Sequence, residues 1–157
     1  MKRIGIAVFL MFLVSSHAWA EEAKAIKHSK DDKCPVCGMF VAKYPDFLAQ
    51  IVFKDGSYAV FDGVKDMMKY YLDLAKYNPS KKVEDIDSIV VTDYYGLKPI
   101  DGRKAYYVTG SDVYGPMGHE LIPFEKEDDA NEFMTDHLGK SLMRLDGVTA
   151  DLLKSMD

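Results

Sequence analysis

The sequence predicts an α+β fold with mainly antiparallel strands, two ββα-type modules folded as a single compact unit. Three observations lead there. Short runs rich in β-branched and aromatic residues recur at 47–53, 58–61, 88–95, 105–109 and 119–124. Two stretches, 64–76 and 126–138, repeat apolar residues at three- and four-residue steps, the period of an amphipathic helix. The order strand, connection, strand, helix occurs twice, and Ala49-Gln50-Ile51-Val52 in the first half answers Ala105-Tyr106-Tyr107-Val108 in the second. Strands joined by turns, with helices following them, describe an antiparallel sheet covered by helices.

The chain begins with a segment that reads as a secretory signal peptide, residues 1–20. Lys2 and Arg3 precede a short apolar run over 4–14, and Ala18-Trp19-Ala20 supplies a cleavage site before Glu21. That run is shorter than the ~20 residues that cross a bilayer, and no later stretch approaches this length. The mature chain is therefore expected to be exported, soluble and not membrane-spanning. No cysteine stands at the cleavage site, so no lipid attachment is expected. Residues 21–33 read as a flexible N-terminal arm, in which His28 is a solvated side chain. The domain proper is 34–157, with a first module over 34–80 and a second, ending in a C-terminal helix, over 81–157.

In the first module the strand 47–53 turns at Lys54-Asp55-Gly56-Ser57 into the strand 58–61, a hairpin signal. Asp62 is a suitable N-cap for the helix 64–76, whose apolar face is Val64, Met67, Met68, Tyr71, Leu72 and Ala75. Asn78-Pro79-Ser80 ends it. In the second module an acidic linker, 81–87, leads to the strand 88–95, a loop over 96–104 and the strand 105–109. A loop over 110–118 precedes the strand 119–124, which Pro123 marks as an edge or an end. The helix 126–138 carries Ala130, Phe133, Met134 and His137 in phase, and Gly139 serves as its C′ residue. A last strand over 142–145 and a helix over 149–156 complete the chain.

Composition narrows the function. Without Lys2 and Arg3, 18 basic residues face 25 acidic ones, so the mature chain is acidic and lacks the basic stripe of a nucleic-acid binder. Cys34 and Cys37 are the only cysteines, and a bridge between them would close too small a loop to stabilise the fold much. Their chemistry is the better guide. In Cys34-Pro35-Val36-Cys37-Gly38-Met39 three sulfur atoms fall within six residues, and soft thiolate and thioether donors select Cu(I) first. A second group, Gly115-Pro116-Met117-Gly118-His119, places a thioether and an imidazole in a glycine-flanked loop. Met67, Met68 and Met134 lie in helical phase and read as core.

Cys34, Cys37, Met39, Met117 and His119 therefore make a candidate metal site shared by the two modules. Zinc through Cys34, Cys37, His119 and one more donor stays open, although methionine is not a usual zinc ligand. So does thiol–disulfide exchange, although that chemistry wants a thiolate at a helix N-terminus and the motif here runs into a short apolar stretch stopped by Pro45. Hydrolytic catalysis has no support, since His137 sits on a helix's apolar face.

The motif Cys34-Pro35-Val36-Cys37-Gly38-Met39 resembles the opening signature of the NosL family, accessory proteins of nitrous oxide reductase. Tyr107-Val108-Thr109-Gly110-Ser111 and Gly115-Pro116-Met117-Gly118 resemble its second signature, and residues 130–139 its following helix. The resemblance covers residues 34 to about 145. It implies a two-module ββα fold and a periplasmic metallochaperone with no enzymatic turnover. Such a protein would bind Cu(I) and deliver it toward the copper centres of nitrous oxide reductase, or to that enzyme's maturation and transporter components. Typical members of the family are lipoproteins tethered through a cysteine at the signal junction, where this chain has Ala20-Glu21.

Overall fold

The computed structural model describes residues 25–157, so the expected signal segment lies outside the described residues. Strands that are mostly buried at their centre build a four-stranded antiparallel sheet of order β2-β1-β3-β4. Its strands are β1 (Ala49–Phe53), β2 (Tyr58–Phe61), β3 (Ile86–Thr92) and β4 (Pro99–Asp101). The expected hairpin joins β1 to β2 in the register Ala49↔Phe61 to Val52↔Tyr58, with Gly56 in the left-handed region at the turn. β3, which belongs to the second half by sequence, pairs with β1 in the first sheet (Ile51↔Ile89). Part of the expected 96–104 loop is β4, which pairs with β3 through Val91↔Ile100.

A second sheet has the order β8-β5-β9, made of β5 (Tyr106–Thr109), β8 (Ile122–Phe124) and β9 (Ser141–Met143). Pro123 does sit on an edge strand, opposite Tyr107, where its missing N–H costs no inner ladder bond. The loop expected over 110–118 and the first residue of the strand expected over 119–124 form instead a two-stranded hairpin, β6 (Tyr114–Gly115) with β7 (Gly118–His119), which belongs to neither larger sheet, and the strand itself begins only at Ile122.

Helix α1 (Val64–Leu72) is shorter than its periodicity suggests, and a separate turn, α2 (Leu74–Tyr77), follows Asp73, whose backbone leaves the helical region (φ −128°, ψ 53°). Its buried surface also differs from the expected stripe. Val64 to Met68 are all buried, as is Tyr70, while Leu72 is exposed. The first turn is enclosed by the first sheet on one side and by α4 (Ala150–Ser155) on another, so sequence phase does not decide what is buried there. Helix α3 (Glu127–Asp136) packs on β5, β8 and β9, and the left-handed residue at its end is Leu138 (φ 56°), one position before the glycine expected to take it.

The larger core joins both halves. Ile51, Phe61, Met67 and Met68 from the first module meet Tyr107, Leu121, Leu153 and Met156 from the second, while Val108, Ile122, Phe124, Ala130 and Phe133 form a smaller core under α3. The fold is thus α+β, antiparallel and compact. The stretch that reads as an arm is fastened at several points, among them Asp32, which accepts from Tyr58 Oη–H (2.9 Å) and from Val41 N–H (3.1 Å), and Ile26. Ile26 N–H donates to Gln50 Oε1 and its carbonyl accepts from Gln50 Nε2, both at 3.0 Å, which satisfies a buried amide on β1.

Candidate metal centre

The cysteine motif is a tight loop. Lys33 and Phe40 pair as an isolated antiparallel bridge, Cys34 N–H donates to the Met39 carbonyl (2.9 Å), and Gly38 N–H donates to the Cys34 carbonyl (2.9 Å). Gly38 makes the closure with φ 79°, a conformation that side chains disfavour. The loop presents both thiols to the start of α1. Cys34 Sγ donates to Asp66 Oδ2 at 3.4 Å and Cys37 Sγ donates to Asp62 Oδ1 at 3.2 Å. One donor atom from each of these four residues lies within 4.8 Å of the others.

Cys34, Asp62 and Asp66 are buried and Cys37 is half-buried, so Cys37 is the side from which the group is reached. Burial pushes the Cys37 thiol up to about 11 and holds Cys34 well above the ordinary thiol range. Neither is a reactive thiolate in the metal-free protein. The segment after the motif is a 3-10 turn, Val41–Lys43, so neither cysteine itself begins an α-helix.

Asp62 does not cap α1. The N-cap is Gly63, which makes no side-chain cap bond, and the helix's open Lys65 N–H is taken instead by Glu120 Oε1 from the second half (2.6 Å). The same oxygen accepts from Leu121 N–H at 2.9 Å. A carboxylate from a distant segment thus does the capping, which leaves Asp62 to face the thiols. Asp62 Oδ1 is used by Cys37, while Oδ2 is buried without a hydrogen-bond partner among the described residues. An orphaned buried carboxylate oxygen beside two thiols is what a cation would satisfy.

Glu120 is itself buried, and that burial pushes its carboxyl up to about 7. The folded state therefore holds this proton more tightly than the unfolded chain does. The Glu120 contribution to stability is fully present below the ordinary value of 4.5 and is lost as pH rises to about 7. Thermal melts of Glu120→Gln and of the unsubstituted chain across that window are expected to lose this slope in the variant. Parallel curves would contradict the assignment.

The other sulfur group is tied to the same helix turn by its backbone. Met117 sits at the tip of the β6–β7 hairpin, 43 % exposed, and its carbonyl accepts from Lys65 Nζ at 2.8 Å. That bond sets the hairpin tip against the first turn of α1, one residue from Asp66. Met39 is half-buried two positions after Cys37. His119 is exposed, its ring centroid 4.9 Å from that of Tyr114, and it stands outside the four-residue group. The structure thus gathers Cys34 and Cys37 with Asp62 and Asp66. Met117 reaches the neighbourhood through its backbone, and His119 lies tilted against a tyrosine ring.

Sequence reasoning missed both aspartates. The available signal was the spacing of Asp62 and Asp66, one helical turn apart at the start of an apolar helix, where a buried acid needs a partner.

With this geometry in hand, a sequence profile of the NosL family matches residues 25–153. The chain belongs to the NosL family. It is 29 % identical over 160 aligned positions to a copper-binding lipoprotein NosL of Stutzerimonas stutzeri, covering 95 % of this chain and 80 % of that one. Among solved structures it is similar to the copper chaperone NosL from Shewanella denitrificans, with a TM-score of 0.68 and 26 % identity over 82 % of this chain and 97 % of that one. It is also similar to apo-NosL from Achromobacter cycloclastes, at 27 % identity over 67 % of this chain and 87 % of that one, with a TM-score of 0.47. The NosL fold expected from the sequence is thus the fold found. Among the described residues no helix is long and apolar enough to cross a membrane.

Proposed function

We propose that this NosL-family chain is a periplasmic Cu(I) metallochaperone, which takes copper as cargo and passes it on for assembly of the copper centres of nitrous oxide reductase. The observation that carries the reading is the Cys34–Cys37–Asp62–Asp66 cluster, whose Asp62 Oδ2 has no hydrogen-bond partner among the described residues. The names of the two relatives, a copper-binding lipoprotein and a copper chaperone, support the choice of metal. Cys37, the more accessible thiol, supplies the first thiolate, and Met39 and Met117 supply neutral thioethers. Cys34 and His119 complete the donor set. Soft donors favour Cu(I), and thioethers hold it without adding charge, so a partner's ligands can displace them one at a time. The reaction is ligand exchange, with no bond made or broken in a substrate. The partners are the reductase itself or its maturation and transporter components, met in the compartment to which residues 1–20 address the chain.

A second reading has one observation in its favour. Two thiols and two carboxylates also form a set that zinc accepts, so the cluster suits a zinc-stabilised binding module. Metal analysis of the purified protein separates the two. Thiol–disulfide exchange draws no such support, because burial raises both thiols where that chemistry needs one lowered.

Anaerobic Cu(I) titration against a competing chelator is the test. Cys37→Ser and Met117→Leu are each expected to weaken binding by at least about tenfold, the scale on which even outer-shell changes act. Unchanged affinity in both variants would overturn the copper assignment.

A further inference from the structure

Residue 65 is the point at which the two halves of the site grip one another. Lys65 lies in the first turn of α1, between the two aspartates that meet the cysteines, and only 2 % of its side chain is exposed. An ammonium removed from water is costly unless its donors are answered. Here Nζ donates to the Met117 carbonyl (2.8 Å) and the Met156 carbonyl (3.1 Å) and lies 3.5 Å from Asp157 Oδ1. The backbone N–H of the same residue donates to Glu120 at 2.6 Å. Segment 117–120 therefore holds residue 65 by its side chain and by its backbone.

The hairpin that carries Met117 is built for this grip. Its two strands pair only with each other, so neither large sheet fixes its tip. A Cβ at Gly115 would come within 2.9 Å of Glu120 Cγ, and Gly118 turns the chain with φ 84°. The Gly-Pro-Met-Gly run thus has a mechanical reading: the glycines admit Glu120 and close the turn, and the methionine is left at the tip.

We propose that Lys65 is a positioning residue. Its ammonium, by holding the Met117 carbonyl, fixes the hairpin tip against the first turn of α1, from which the Met117 thioether can join copper at the cysteine pair. This rests on the Cu(I) reading above. Without the ammonium the tip must be ordered at the moment of binding, and that ordering is paid out of affinity. The same ammonium also holds the Met156 carbonyl, so the end of α4 and the Met117 tip share one donor group.

The test uses the full mature chain labelled with 13C at the methionine methyls, reduced and anaerobic, with stoichiometric Cu(I). Met117→Leu assigns the Met117 signal. In the unsubstituted protein copper is expected to shift the Met117 methyl. Lys65→Leu is expected to abolish that shift and to weaken Cu(I) binding about 10- to 100-fold, while Cys37-dependent binding persists. Lys65→Arg, which keeps donors for the two carbonyls, is expected to restore the shift. A purely structural lysine would lower the melting temperature and leave the bound Met117 shift intact, so a full shift in Lys65→Leu overturns the proposal. If Lys65→Leu does not fold, Lys65→Gln, whose shorter neutral side chain stays polar in the buried site but lacks the ammonium, takes its place, and an undiminished Met117 shift in that variant overturns the proposal equally. Absence of the shift in the unsubstituted protein removes Met117 from the ligand set, and this inference with it. Retention in Lys65→Leu with a normal unsubstituted shift sinks the inference alone.

Discussion

Gly63→Ala is expected to be among the most damaging single substitutions in the chain, lowering stability by ~3 kcal/mol, at the upper end of overpacking effects. Gly63 is in extended backbone (φ −171°, ψ 160°) that any residue adopts, so the effect is steric. A methyl group there overlaps Glu120 Oε2, and the carboxyl must leave a site in which it accepts from both Lys65 N–H and Leu121 N–H. Each buried group left without its partner costs roughly 1–3 kcal/mol. At about 3 °C per kcal/mol for a chain of this size, the melting temperature should fall by roughly 10 °C. Thermal melts followed by circular dichroism check this. The double variant Gly63→Ala/Glu120→Ala relieves the overlap and should be less destabilised than the sum of the two single changes. An unshifted Gly63→Ala melt would show that the Glu120 cap is dispensable.

Asp62→Asn is expected to separate stability from metal binding. Asp62 is fully buried with one oxygen on Cys37 and the other unpartnered among the described residues, an arrangement that costs the metal-free fold and suits a bound cation. Replacing the carboxylate by an amide of the same shape should leave the apo melting temperature unchanged or raised. Cu(I) affinity should fall by about 10- to 100-fold, the scale of losing a group that contacts or orients a ligand. Such a trade of stability for function marks a site held under strain by its purpose. A lowered apo melting temperature with unchanged affinity would make Asp62 a structural residue.

Much of the architecture is legible along the chain because its signals are local. The Asp55-Gly56 turn between two β-rich runs specifies the first hairpin, and Pro123 finds the edge strand its chemistry requires. Boundaries shift where tertiary contacts override them. Leu72 is in phase with α1's apolar face and is nonetheless exposed, because the helix ends there and Asp73 breaks the turn. β3 reads as the start of the second half, yet its Ile89 lies opposite Ile51 in the first sheet, a pairing across nearly forty residues that no local pattern encodes.

The site divides along the same line. By itself the sequence determined its chemical character: two cysteines and a methionine in six residues, and a second methionine on a glycine-flanked turn, announce soft-metal binding because donor type travels with the residue. Only the tertiary structure decided which groups meet. Asp62 is an ordinary N-cap in the sequence, and it turns to Cys37 because Glu120, 58 residues later, takes over the cap. Lys65, ordinarily a surface side chain, is buried because three carbonyl and carboxylate groups from distant segments surround its ammonium. Donor chemistry is a property of single residues. The meeting of donors depends on contacts between segments far apart in the chain, and those form only when both modules close on one core.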